Sequence, residues 1–165
     1  MNKMREIRIE KVVLNMGVGS KEEALKNATK LLKKVSGIEP LVTKSKKRST
    51  FNVPKGKPIG CKVTVRKGAE KLLKSLLEAN ENKLQESNFD STGNVSFGIS
   101  EYINIPEIEY DPSIEIVGFD IAVRLERPGF RTSRKRLGTK IGKKHKIKKE
   151  EAIEFMKKKF NVDVR

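Results

Sequence analysis

The sequence predicts an α+β fold of two layers, a largely antiparallel sheet with helices on one face, followed by a basic C-terminal extension that ends in a short helix. Three observations predict it. Four segments alternate apolar and polar residues with the period of a strand. Two segments in the first half carry apolar residues at helical spacing. The second half then runs from strand to strand with no helical pattern between them, which favours helices gathered on one face over repeated crossover units. At 165 residues the chain is long enough for one compact domain with a modest core.

Taken in order, Ile7–Met16 reads as a strand with Val12, Leu14 and Met16 on one face and Lys11, Val13 and Asn15 on the other. Gly17-Val18-Gly19 ends it. Ser20 and Glu23 have the spacing of a capping box, in which each side chain satisfies a free backbone N–H at a helix start. The helix that follows has Ala24, Ala28, Leu31 and Val35 on one stripe and stops at Gly37. Leu41–Ser45 makes a short strand. Residues 46–58 contain Pro54, Gly56 and Pro58 and only Phe51 and Val53 as large apolar groups, so a long, mobile, basic loop is expected. Ile59–Arg66 is the cleanest strand: Ile59, Cys61, Val63 and Val65 face one side, and Gly60, Lys62, Thr64 and Arg66 the other. Ala69, Leu72, Leu73, Leu76 and Leu77 mark a second amphipathic helix closing near Asn80.

A strand follows Gly93-Asn94, with Val95, Phe97 and Ile99 inward. Pro106 and Pro112 bracket an acidic connection in which Glu107, Glu109 and Asp111 alternate with Ile108 and Tyr110, as on a solvent-facing strand edge or a protein contact. Ile114–Glu126 reads as one long strand with a bend or bulge at Gly118. The run to Lys149 has no apolar periodicity, and a last helix around Glu150–Phe160 offers Ile153, Met156 and Phe160 for packing. The domain boundary is placed after residue 130, with 131–165 as an extension packed on the same body.

Charge narrows the function. Lys and Arg number 37 and Asp and Glu 21, a net of +16. Residues 40–69 hold nine basic residues and no acid, and residues 127–149 hold eleven and no acid, while residues 70–126 carry a net charge of −8. A concentrated basic stripe on an otherwise ordinary chain is the footprint of a polyanion binder. Solubility alone does not require acids to be absent for thirty residues. Lys62, Thr64, Arg66, Asn15 and Lys11 project from one sheet face, where cations meet phosphates and the polar groups meet sugars or base edges. Arg131, Arg134, Lys135 and Arg136 extend the basic surface into the C-terminal segment.

Other chemistries find little support. The longest apolar run is three residues, far short of a membrane span or a secretory signal core, so no membrane role and a cytoplasmic location are expected. One cysteine, Cys61, and one histidine, His145, exclude an internal disulfide and the two-histidine metal motifs, so neither metal nor cofactor is expected. Cys61 sits at an inward strand position and reads as an inert buried thiol, and His145 among lysines reads as solvated or RNA-facing. The glycine turn at 17–19 lies between strand and helix, but it lacks both the Walker pattern and the third glycine of a dinucleotide site. No pair of aromatic residues marks a base-stacking sheet, which favours folded RNA recognised by shape and backbone. An enzyme needs a constellation of titratable groups that the sequence does not offer.

Several segments resemble one family: Val12–Gly19 (VVLNMGVG), Thr43–Lys47 (TKSKK), Pro58–Arg66 (PIGCKVTVR), Gly93–Tyr102 (GNVSFGISEY) and Glu107–Asp120 (EIEYDPSIEIVGFD). Together and in order they are similar to ribosomal large-subunit protein number five, the 5S rRNA-binding family, and residues 127–160 resemble its archaeal and eukaryotic branch, the archaeal side above all. The resemblance implies a non-catalytic scaffold of the central protuberance that binds 5S rRNA and large-subunit rRNA among neighbouring large-subunit proteins. It implies rRNA contacts at Asn15, Met16, Gly17, Thr43, Lys44, Ser45, Lys46, Lys47, Gly60, Lys62, Thr64 and Arg66. It also implies a loop (Lys47, Arg48, Ser49, Thr50, Phe51, Lys55, Gly56, Lys57) near peptidyl-site tRNA, and a bridge to small-subunit ribosomal protein number thirteen, for which the acidic Glu107, Glu109 and Asp111 are the candidates by charge complementarity.

Overall fold

The computed structural model describes residues 2–19, 21–48, 53–106 and 108–165. Strands β1 (Arg8–Gly17), β2 (Leu41–Lys44), β3 (Pro58–Val65), β5 (Val95–Ile99) and β6 (Phe119–Glu126) form one antiparallel sheet in the order β2-β3-β1-β6-β5. The earliest strand lies at the centre because its inward residues, Val12, Leu14 and Met16, find apolar partners on both sides: Val65, Val63 and Cys61 on β3, and Val123 and Ile121 on β6. The helices α1 (Glu22–Ser36) and α2 (Ala69–Ala79) cover this inner face, α1 against β3 and α2 against β1. Leu31, Leu32, Leu73, Leu76 and Leu77 are fully buried there, and burying each such side chain stabilises by about 1.5–3 kcal/mol. Cys61 lies in the same core, where burial raises its thiol pKa and leaves it the inert group expected.

The α+β class and the helices on one face agree with the sequence, and four details differ. The N-cap of α1 is Lys21, which makes no side-chain capping bond, so the helix starts one residue later than a Ser20–Glu23 box requires; Ser20 lies outside the described residues. The expected strand from Ile114 begins only at Phe119. Its pairing ends there: β5 stops at the Ile99–Phe119 pair, and the ladder with β1 stops at Asn15–Asp120, beyond which Met16 and Gly17 of β1 pair only with β3. A Cβ at Gly118 would meet the Ile99 carbonyl oxygen at 2.5 Å and that of Ser100 at 2.8 Å, so the chain turns hard against the end of β5 instead of continuing it. Residues 108–111 form no strand edge either; they belong to a turn built around the buried Tyr102, whose hydroxyl donates to the Asp111 carbonyl at 3.2 Å.

The fourth difference is a two-stranded parallel sheet, β4 (Lys83–Leu84) with β7 (Asp163–Val164), which ties the C-terminus to the segment after α2. Glu86 N–H donates to the Arg165 carbonyl at 2.8 Å and closes the tie. Two-residue strands are too short to show alternation in sequence. The helix α3 (Lys149–Phe160) buries Ala152 and Met156 in the same core, with Ile153 and Phe160 half-buried at its margin.

Candidate nucleic-acid interface

The outer face of the sheet is built in rows, because residues directly opposite on antiparallel strands point the same way at roughly 4.5–5.5 Å. One row is Thr43–Gly60–Gly17 across β2, β3 and β1. The next is Leu41–Lys62–Asn15–Asp120–Gly98 across all five strands. A third is Thr64–Val13–Ala122–Ser96, and a fourth pairs Lys11 with Arg124. Lys62, Asn15 and Arg66 are exposed and Thr64 half-buried, so the residues expected on this face are together on it. Gly60 is buried beneath Thr43: a Cβ there would meet the Thr43 hydroxyl at 3.3 Å and collide with the Met16 carbonyl, so only glycine lets β2 and β1 close on β3. Met16 is 2 % exposed and points into the core, so its side chain is removed from the expected contacts.

The basic loop rises from the end of β2. Ser45 and Lys57 extend the hairpin, with Ser45 N–H donating to the Lys57 carbonyl at 2.9 Å and Gly56 N–H to the Ser45 carbonyl at 2.8 Å. The Ser45 hydroxyl donates to the Lys47 carbonyl at 2.6 Å. Lys44, Lys46, Lys47, Arg48, Lys55 and Gly56 are exposed and Lys57 is half-buried; Ser49, Thr50 and Phe51 lie outside the described residues. None of the basic residues in 40–69 makes an ion pair among the described residues.

The other half of the face differs. β1 carries a bulge at Glu10, between the Ile9–Leu125 and Lys11–Arg124 pairs. The bulged carboxylate, 6 % exposed, is paired with Arg124 at 2.8 Å and with Arg134, and Arg134 also reaches Glu126 at 2.5 Å. Arg134 thus pins the extension across the sheet, while Arg131, Lys135 and Arg136 stay exposed. Phe130 and, in the extension, Ile141 and Ile147 flank Val13 and Ala122 of the outer face, of which Val13 is half-buried and Ala122 still exposed, and with them line an open concavity of about 450 Å³ bordered by Lys11, Arg124 and Lys146. The outer face is therefore open over β2, β3 and part of β1 and flanked by the extension near β6, where Asp120, Ala122 and Arg124 still reach solvent. Asp120, Arg124 and Leu41 were missed as members of it; the outward positions of Asp120 and Arg124 follow from the alternation of Phe119, Ile121, Val123 and Leu125, and that of Leu41 from its place opposite Lys62.

Two groups of the basic run are structural. Arg127 is 4 % exposed, with its guanidinium donating to Glu151 at 2.7 Å and to the carbonyls of His145 and Lys146 at 3.3 and 3.4 Å. His145 is half-buried, not solvated: its ring packs edge-on against Phe130 at 5.6 Å, and Nε2 lies 2.9 Å from the Pro128 carbonyl, a distance that places the proton on that nitrogen. The Lys148 backbone N–H, and after it the Arg127 guanidinium, holds the Glu151 carboxyl below its ordinary range. In the acidic connection, Asp111 is a turn-maker: it accepts from Ser113 N–H at 3.0 Å and from the Ser113 hydroxyl at 2.7 Å, which lowers its pKa. Glu109 is exposed and Glu107 lies outside the described residues. Among the described residues no group of three or more His, Cys, Asp or Glu is placed to hold a metal ion, and no helix is long and apolar enough to cross a membrane.

The profile of the C-terminus of the ribosomal L5 family matches residues 58–155, and that of ribosomal protein L5 matches residues 2–51. This chain belongs to the ribosomal L5 family. The large ribosomal subunit protein uL5 of Sulfolobus acidocaldarius is 46 % identical over 99 % of this chain and 93 % of its own length. Those of Sulfurisphaera tokodaii and Methanoregula boonei are 47 % and 45 % identical over 99 % and 98 % of this chain and 95 % and 100 % of theirs. The archaeal side of the resemblance holds, over nearly the full length of the chain. L5-family chains are structural ribosomal proteins rather than enzymes, in keeping with a face whose assets are cations, amides and hydroxyls without a nucleophile–base pair.

Proposed function

We propose that this chain binds 5S rRNA through the open half of its sheet and helps to attach it in the central protuberance of the large ribosomal subunit. The observation that carries the reading is the set Lys62, Asn15 and Thr64 on one sheet face, with Arg66 exposed just past the end of β3, beside a hairpin stem that presents Lys44, Lys46 and Lys47, with no ion pair among the described residues to neutralise any of these cations. Cations there meet phosphates, while Asn15, Thr64 and Thr43 supply directional hydrogen bonds to sugar or base edges. Asp120, one strand along from Asn15, repels phosphate but accepts from a 2′-hydroxyl or an exocyclic amine, so it disfavours purely electrostatic binding at that point.

The remaining contacts extend the same reading. The loop around Lys47–Lys57 reaches peptidyl-site tRNA, large-subunit rRNA meets the extension at Arg131, Lys135 and Arg136, and the acidic connection faces small-subunit ribosomal protein number thirteen. In that connection Glu109 is the available carboxylate, since Asp111 is engaged by Ser113. The deciding experiment is a binding titration of the full chain against 5S rRNA and against duplex DNA of equal length at several salt concentrations. Preference for 5S rRNA that survives high salt supports the scaffold. Equal affinity for both overturns it in favour of a general nucleic-acid binder.

A further inference from the structure

We infer that the cavity between the outer sheet face and the extension seats a single unstacked nucleobase of the bound RNA. The inference rests on the RNA-binding reading above and adds a site to it. Val13 and Ala122 of the sheet form its floor, Phe130, Ile141 and Ile147 one side, and Thr92 and Asn94 add polar groups to the lining, so the space is an open apolar concavity with a polar margin. Its size, about 450 Å³, falls within the range of small-ligand pockets, roughly 300–1,000 Å³, and its lining is apolar in the way such pockets are. Lys11 and Lys146 border it, neither makes an ion pair among the described residues, and no carboxylate lines it.

These features select the occupant. Inorganic phosphate would use the two lysines and leave the apolar walls unfilled. An uncharged apolar ligand would gain nothing from the lysines. A nucleotide satisfies both, its planar base against the apolar lining and its flanking phosphates at the border. The concavity has the volume of a small ligand and not of a helix, so the base must leave its stack, as bases do in RNA loops and bulges.

The test uses the full chain, isotope-labelled, with adenosine 5′-monophosphate and inorganic phosphate at equal concentration. The nucleotide is expected to shift the amides of Val13, Ala122 and Ile141, and phosphate only those near Lys11 and Lys146. The same pattern from both overturns the inference. A second arm measures 5S rRNA affinity for Ala122→Leu, which grows into the slot, and for Ile141→Trp, which fills it from the other side. Each is expected to weaken binding about tenfold at every salt concentration, the scale of one lost base contact, without changing the salt slope. If both filled variants fold and bind as the parent does while Lys62→Ala weakens binding, the slot is not a base site and the RNA-binding reading stands. If Lys62→Ala also binds unchanged, both readings fall.

Discussion

The two acid-free windows carry similar charge and put it to different use. In residues 40–69 all nine basic side chains are without an ion pair among the described residues, and most stand exposed on the sheet face or the hairpin. In residues 127–149, three of the eleven are engaged within the protein: Arg127 with Glu151, Arg134 with Glu10 and Glu126, and Lys149 with Glu86 at 2.9 Å. The first window keeps its charge free of internal pairing among the described residues, as the proposed RNA contact requires. The second must first fasten an extension that lacks apolar periodicity, and it does so with arginines, whose planar fork can hold two acceptors at once. A count of basic residues therefore overstates the charge available to RNA in the second window and not in the first.

The comparison breaks most visibly at Arg127. Arg127→Ala is expected to cost about 3 kcal/mol in urea denaturation, the low end for removing one partner of a buried pair, because Glu151 remains partly solvated. An unchanged midpoint would mean that the extension is held by Phe130 and Ile147 alone. Lys62→Ala and Arg66→Ala should do the reverse. Each is expected to leave stability within about 0.5 kcal/mol and to lower the salt slope of 5S rRNA binding by about 0.7–0.9. A slope equal to the parent's would take Lys62 and Arg66 out of phosphate contact.

A finer cut lies within the extension itself. Arg134→Ala should cost about 0.5–1 kcal/mol, the scale of an ion-pair network that is partly exposed, whereas its neighbour Lys135→Ala should cost nothing measurable and change only the salt slope. Equal effects on stability at the two positions would remove the distinction between fastening and presenting charge in this segment.

How much of this was legible in the sequence depends on periodicity. β1, β3, β5 and both long amphipathic helices show it cleanly, because each has one buried and one solvated face. The open half of the interface was legible for the same reason: Lys62, Thr64 and Arg66 alternate with Cys61, Val63 and Val65. The half flanked by the extension was not. Val13 and Ala122 are apolar residues on the outer face, and only the cross-strand register shows them side by side. Nor does a basic run betray which arginine is buried; Arg127 looks like its neighbours until Glu151 is brought to it from 24 residues away. The strand from Ile114 was overextended because alternation persists through Val117 after its ladder partners have ended.

The smallest expected effect tests the pair from its acidic side. Glu151 accepts from the Lys148 backbone N–H at 2.9 Å and from Arg127 at 2.7 Å, and its carboxyl is held below the ordinary range. A carboxyl with a depressed folded-state pKa contributes stability that is present above its unfolded value, about 4.3, and is lost as pH falls through the folded value. Glu151→Gln has one oxygen acceptor in place of two, so it keeps one of the two bonds and loses the other together with the charge; at pH 7 the variant should fall below the parent by at most about 1 kcal/mol, given the solvent exposure of the carboxyl. That gap should close as the pH is taken from about 5 downward through the folded pKa, since the parent then becomes neutral as well. Chemical denaturation of parent and variant at matched ionic strength measures it directly. A gap that persists unchanged at the acid end would assign the effect to packing of the side chain, and the Arg127 charge would then be satisfied by the carbonyls of His145 and Lys146 alone.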